Sequence, residues 1–152
     1  MAVTLLTLTA RPALAQDATF TPVQRTLTAD LATGTHHYSA ALPVPKGKRL
    51  VIEYVSVRIV PRDPTSVVSV NEVAIATSVQ GVVAKHSLAN SFNGPGFQAG
   101  VGYRFVLGQE VKFYADGATP VTATLDLFNY GDDTQYLMTG TIEWTISGYL
   151  IG

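Results

Sequence analysis

Short runs of alternating apolar and polar residues fill most of the chain, and Gly, Pro, Asn or Asp closes each run. A period of two is typical of β-strands with one buried side, whereas an amphipathic helix repeats about every 3.6 residues. About eight or nine such runs follow one another, and no segment of useful length shows the helical period. The pattern predicts an all-β fold, an antiparallel β-sandwich or jelly roll with Greek-key connections.

Residues 50–60 form the most strongly predicted strand. Alternation divides its apolar residues into two sides, with Leu50, Ile52 and Tyr54 on one and Val51, Val55, Val57 and Ile59 on the other. A strand that is apolar on both sides is either central, with a further layer packed outside it, or turned toward a neighbouring subunit. We therefore expect Val55, Val57 and Ile59 to take part in an interface between subunits.

The last predicted strand, residues 138–151, alternates cleanly. One side is polar, with Thr, Glu and Ser residues. The other side is apolar and should face the core, with Ile142, Trp144, Ile146 and Leu150. The pattern therefore predicts a half-buried strand that places the single tryptophan in the core.

Gly-containing pairs divide two long runs into predicted hairpins. Gly108-Gln109 separates residues 103–107 from 111–115, and Gln80-Gly81 separates residues 67–79 from 82–88. Residues 69–77 could also form a helix. The excess of Val and Ile over Ala there favours a strand, since β-branched side chains suit a pleated sheet.

Residues 1–15 predict a signal peptide, and residues 16–152 a single β-sandwich domain. The first ten residues are apolar and Thr-rich, and Ala13-Leu14-Ala15 matches the A-x-A rule for cleavage sites. No Lys or Arg precedes the apolar stretch, so the basic n-region of a signal peptide is missing. The alternative is a first strand that tolerates Thr4, Thr7 and Thr9. Export would make the mature domain secreted or periplasmic.

Composition limits the partners that the chain can take. Only 14% of the residues are charged and the formal net charge is −1, so the basic face that nucleic-acid binding requires is missing. The chain contains no cysteine, which excludes disulfides, thiolate nucleophiles and thiolate metal sites. After the signal, no apolar run approaches the roughly 20 residues that span a bilayer. We therefore expect no nucleic-acid partner and no membrane insertion of the mature domain.

Side chains with catalytic chemistry are few and scattered. The motifs of common hydrolases, nucleotide-binding proteins and zinc proteases are absent. His36 and His37 are adjacent in a predicted strand, so they point to opposite sides, and His86 stands alone. Carboxylates are present, but no spacing selects a pair for glycoside hydrolysis. We predict that the protein is not an enzyme, with no catalytic residue, metal or cofactor.

A turn rich in aromatic and acidic residues is the best candidate for ligand binding. Tyr130 and Tyr136 offer rings on which a sugar can stack, and Asp132 and Asp133 offer carboxylates for its hydroxyls. The two aspartates could instead bind Ca²⁺ or form a solvated turn. Phe128, on the Thr-lined side of the preceding strand, is a further predicted interface contact.

Residues 44–56, 111–116 and 146–151 resemble a group of small secreted bacterial β-sandwich proteins without an established function. This resemblance implies export and a single β-domain, and it carries over no catalytic residues. The ending Ser147-Gly148-Tyr149-Leu150 also looks like the close of C1q-type and tumour-necrosis-factor-type jelly rolls. The subunits of those proteins form trimers through aromatic and apolar sheet faces, so the second resemblance implies a homo-oligomer.

Two functions follow as expectations. The first is an exported, non-enzymatic protein that binds a glycan or another cell-surface polymer. The alternative is a structural subunit of a homo-oligomer or surface layer, whose apolar sheet faces are the functional sites and which binds no small molecule.

Overall fold

The computed structural model of the chain describes residues 19–32, 34–62, 70–88, 105–127 and 139–152. These residues contain eight β-strands and no helix. The strands are β1 (Thr21–Leu31), β2 (His37–Leu42), β3 (Arg49–Pro61), β4 (Val70–Val79), β5 (Val82–Ser87), β6 (Phe105–Asp116), β7 (Val121–Leu127) and β8 (Gly140–Ile151). The predicted all-β antiparallel sandwich is therefore confirmed, and the Greek-key connections stay a prediction.

Two four-stranded sheets make up the fold. The front sheet has the order β1-β8-β3-β6, and the back sheet has the order β2-β7-β4-β5. Every pair of neighbouring strands is antiparallel. Only one of the links between consecutive strands, the β4–β5 hairpin, stays within a single sheet, so the chain passes back and forth between the sheets.

The core lies between the two sheets and is built from the inward residues of both. On β8, Ile142, Trp144 and Ile146 are fully buried, as alternation predicts. On β7, the inward residues are Val121, Ala123, Leu125 and Leu127. Each sheet thus hides its apolar side against the other sheet, which is the main stabilising contribution in a sandwich.

A β-bulge in β3 overturns the predicted sides of this strand. Ile52 pairs with Gly148 and Tyr54 pairs with Ser147, so Glu53 is an extra residue on β3. An extra residue shifts the alternation by one position. As a result the inward side holds Leu50, Ile52, Val55, Val57 and Ile59, which all belong to the core. Tyr54 is 40% exposed on the outward side.

One predicted hairpin is confirmed and the other is wrong. The β4–β5 hairpin turns at Gln80 and Gly81, with φ angles of 53° and 80°. Positive φ at both central residues is the geometry that twists correctly into a two-residue hairpin, and Gly adopts it without strain. Gly108, in contrast, does not turn the chain, because residues 105–116 form one continuous strand, β6.

Candidate functional site

The outward faces of the two sheets differ in chemistry. The back sheet presents polar and charged side chains that bond to one another across strands. His37 Nδ1 lies 2.5 Å from Asp126 Oδ1, and Lys85 Nζ lies 2.5 Å from Glu72 Oε2. Ser87 Oγ also donates to Glu72, at 2.5 Å. Such a network of exposed ion pairs is typical of a solvated surface.

The outward side of the front sheet, called here the front face, carries a strip of aromatic side chains at one end. The register places Pro22, Tyr149, Val51 and Tyr114 side by side on β1, β8, β3 and β6. Phe20, just before β1, meets Tyr149 edge-to-face with ring centroids 5.3 Å apart. The name aromatic strip is used below for Phe20, Tyr54, Tyr114 and Tyr149.

Exposure within the aromatic strip is high for rings of this size. Phe20 is 64% exposed, and Tyr54 and Tyr114 are each 40% exposed. Val51 lies between Tyr149 and Tyr114 in the register and is 1% exposed, although it is not part of the core between the sheets. The strip therefore already covers one apolar side chain on the outside of the sandwich and leaves its own rings to solvent.

The bulge and a glycine position Tyr54. The extra residue at Glu53 turns Tyr54 outward, and Gly108 lies on the neighbouring strand β6. A Cβ atom at Gly108 would come within 2.2 Å of the Tyr54 hydroxyl oxygen. The Tyr54 ring therefore lies over Gly108, in the space that a side chain at position 108 would occupy. Glycine in a strand interior often allows such a close approach.

The front face carries an ion pair across its two inner strands. Arg58 Nη2 lies 2.6 Å from Glu143 Oε2 across β3 and β8. In the middle of the face the hydroxyls of Thr26 and Thr145 lie 3.1 Å apart. Glu53, Glu110 and Lys112 line a shallow depression beside Tyr54. The middle row of the face, with Thr26, Thr145 and Ser56, is therefore uncharged, and the Arg58–Glu143 pair lies in the next row of the two inner strands.

A second depression lies at one end of the sandwich, around Arg49 and Asp116. Arg49 Nε donates to Asp116 Oδ1 at 2.6 Å, and the backbone N–H of Gln80 donates to Asp116 Oδ2 at 2.9 Å. The hydrogen bond from Arg49 and then that from Gln80 lower the pKa of Asp116, and Asp116 raises the pKa of Arg49. The carboxylate therefore ties β3 and β6 to the β4–β5 turn, which is a structural role.

The side chains predicted for a subunit interface on β3 lie in the core. Val55, Val57 and Ile59 are each 0% exposed and contact the interior between the sheets. This corrects their assignment to an outer side, and the cause is the bulge at Glu53. The outward residues of the same strand are Tyr54, Ser56 and Arg58.

Other predicted site residues lie outside the described part of the chain. These are the interface contact Phe128 and the carbohydrate candidates Tyr130, Asp132, Asp133 and Tyr136. Both predictions about them stay predictions.

The histidines occupy separate positions. His37 pairs with Asp126 on the back sheet, and the ring of His86 stacks on Phe113 with centroids 4.0 Å apart. Among the described residues, no three His, Asp or Glu side chains are grouped so that they could hold a metal ion. The same residues contain no helix that is long and apolar enough to cross a membrane.

No family model matches the chain, and a search of curated proteins finds no match. Function is therefore argued from the front face. Sequence reasoning pointed to the outer side of residues 50–60 but missed the residues that form it. Period-two alternation puts Tyr114 and Tyr149 on the sides of their strands away from their apolar neighbours Phe113 and Leu150. This alternation was the signal in the sequence from which the aromatic strip could have been predicted.

Proposed function

We propose that the protein is an exported structural subunit of a homo-oligomer, and that its front face is the contact between copies. The observation that carries this proposal is the aromatic strip, which crosses the full width of a sheet on the outside of the sandwich. Aromatic residues are enriched at protein interfaces, where large rigid rings bury much area at a small entropic cost.

The dimensions of the front face suit a subunit contact. Four strands about 4.8 Å apart, each about 11 residues long at about 3.3 Å per residue, span roughly 700 Å². A standard protein interface buries about 800 Å² on each partner. One face of this sheet is therefore close in size to one side of a standard contact.

The charge distribution favours a second copy as the occupant. Interface centres are depleted in charge, and the centre of the front face carries hydroxyls and rings, with Arg58 and Glu143 already neutralising each other. The chain has a formal net charge of −1, so two copies repel each other only weakly. Tyr149 also falls within the ending that resembles C1q-type and tumour-necrosis-factor-type jelly rolls, which trimerise through sheet faces.

A matched pair of lysine variants tests the proposal. Tyr114→Lys puts a charge into the aromatic strip, and Thr122→Lys puts one on the outward side of the back sheet. We expect light scattering to give a lower solution mass for Tyr114→Lys than for the wild type, and an unchanged mass for Thr122→Lys. Loss of an aromatic anchor costs about 2 kcal/mol or more, which weakens association at least about thirtyfold.

Two results would count against the proposal. One is a wild-type protein with the mass of a single chain at micromolar concentration. The other is an equal mass for Tyr114→Lys and the wild type, with circular dichroism showing that both are folded. Glycan binding stays the competing prediction, and a glycan array with the wild-type protein and a Tyr130→Ala variant tests it separately. N-terminal sequencing of exported protein tests cleavage after Ala15.

A further inference from the structure

We infer that the free edge of β5 is a second self-association site, at which two copies pair their β5 strands antiparallel. This inference goes beyond the contact through the front face and does not depend on it. Among the described strands, β5 pairs only with β4, so one row of its backbone N–H and C=O groups has no strand partner. An unpaired edge of this kind is a template for another strand.

The two most exposed large hydrophobic residues of the described chain belong to β5. Val82 is 70% exposed and Val83 is 67% exposed. Because successive residues of a strand point to opposite sides, these two valines leave both sides of the edge apolar. Ala84 and Lys85 continue the exposed segment. A strand that is apolar on both sides at a sheet edge gains most from being covered by another strand.

The other three edge strands carry proline or a bulge with exposed charges, whereas β5 contains no proline and pairs with β4 in a regular register. Pro22 lies near the start of β1, and Pro43 ends β2. On β6 the register is irregular beside the bulge, where Glu110 and Lys112 are exposed. Proline, bulges and charges are the usual protection of sheet edges. The one charge on β5, Lys85, is already bonded to Glu72.

The composition of β5 is compatible with pairing to itself. A two-fold axis at Ala84 sets Ala84 opposite Ala84 of the second copy, and Val83 opposite Lys85. No like charges then face each other, which removes the usual penalty on such a pair. The β4–β5 turn at Gln80 and Gly81 closes the hairpin with a regular register, and no bulge interrupts β5.

Pairing of β5 strands would join two back sheets into one sheet of eight strands. A chain that has this contact and a front-face contact can connect to neighbours in two directions. Two interfaces with intersecting two-fold axes can close a dihedral assembly, and other arrangements of the axes continue as an extended assembly. Copies that use both the front face and β5 would therefore form assemblies larger than a pair.

Four proteins separate this inference from the proposed function: the wild type, Val83→Lys, Tyr114→Lys and the double variant. We expect Val83→Lys to keep only the front-face oligomer, Tyr114→Lys to keep only a pair joined at β5, and the double variant to be a single chain. Val83→Lys should raise the dissociation constant of the edge contact at least about tenfold, because a charge replaces an apolar side chain at the seam. Ala41→Lys, on the opposite edge strand of the same sheet, is the matched control.

Cysteine variants give an independent readout, since the natural chain contains no cysteine. Ala84→Cys lies on the expected two-fold axis, opposite its own copy, and should form a disulfide-linked pair under mild oxidation, whereas Ala41→Cys should not. Equal masses for Val83→Lys and the wild type, or equal cross-linking at positions 84 and 41, would overturn the β5 inference. An effect of Val83→Lys without any effect of Tyr114→Lys would instead overturn the front-face proposal.

Discussion

The hydroxyl of Tyr38 anchors the link between β1 and β2. Its ring is in the core, and its oxygen lies 2.9 Å from the carbonyl oxygen of Thr35 and 3.1 Å from that of Ala32. The same oxygen accepts the N–H of Ala32 at 3.1 Å. The short link from β1 to β2 is thus fastened to the first inward residue of β2, in the manner of the tyrosine corners of other β-sandwiches.

We expect Tyr38→Phe to destabilise the protein by about 1–3 kcal/mol, because the N–H of Ala32 and the nearby carbonyls lose their partner while the ring still fills the core. Urea unfolding measures the change, with the fluorescence of the single, buried Trp144 as the signal. A loss below about 0.5 kcal/mol would show that water replaces the hydroxyl at no cost.

Alternation predicted the inward residues of β8 correctly, including Trp144. It failed for Tyr54, because the period-two rule assumes that no residue is inserted, and a bulge leaves no mark in the apolar pattern. The same failure assigned Val55, Val57 and Ile59 to an outer side. A single extra residue thus moved the candidate site from the aliphatic residues of β3 to the aromatic ones.

At the scale of the elements, β3 and β8 depend on glycine where the bulge brings their backbones together. A Cβ atom at Gly148 would lie 1.9 Å from the carbonyl oxygen of Val51, which is a backbone atom that cannot swing aside. At Gly108 the obstructing atom is the end of the Tyr54 side chain, which can rotate away. The two glycines lie within strands of the same sheet and make a matched pair.

Gly148→Ala should therefore destabilise the fold by about 2 kcal/mol or more, through overpacking against the backbone. Gly108→Ala should change the free energy of unfolding by less than about 1 kcal/mol, since alanine is accepted better than glycine in a strand interior. Urea unfolding of both variants checks the difference. Equal losses at the two positions would show that the close approach of β8 to β3 is not what requires Gly148.

The two hairpin predictions show when a local turn signal is enough to predict a turn. Gln80-Gly81 turns the chain because the arms on either side can pair directly, and positive φ at Gly is favourable there. Gly108-Gln109 looks similar in the sequence, but residues 105–116 pair along their whole length with β3. Long-range pairing overrides a local turn signal, and such pairing could not be predicted from the sequence of β6 alone.

At the scale of the whole molecule, Asp116 makes a polar contact that joins the two sheets. It bonds to Arg49 in the front sheet and to the backbone of Gln80 in the back sheet. Because its pKa is lowered in the fold, the stability that this carboxylate contributes is present above its unfolded pKa of about 4. That stability is lost as the pH falls through the lower, folded value. Glu72, whose pKa Lys85 and Ser87 lower, acts in the same direction.

Asp116→Asn should accordingly lower the melting temperature most near neutral pH. The difference from the wild type should shrink as the pH falls below about 4, where the wild-type carboxylate also becomes protonated. Melting curves followed by circular dichroism between neutral and strongly acidic pH measure this, with the exposed Asp30→Asn as the control. A difference that does not depend on pH would mean that the charge of Asp116 is not what joins the sheets.

Some features of the whole molecule could be predicted from the sequence, and others could not. Composition and alternation predicted an all-β sandwich because both follow from local residue preferences. The order of strands in the two sheets, and therefore the front face that collects rings from β3, β6, β8 and the residue before β1, depends on long-range pairing. Tyr114 and Tyr149 are far apart in the sequence, and only the register at Val51 brings them to the same row.

The central claim is that the front face joins copies of this chain, and the solution mass of the wild-type protein tests it most directly. Light scattering on protein eluting from a sizing column, over a range of micromolar concentrations, should give a mass that is a multiple of the mass of one chain. Tyr114→Lys should reduce that mass, while Thr122→Lys should leave it unchanged. A folded wild-type protein with the mass of a single chain throughout that range would contradict the account.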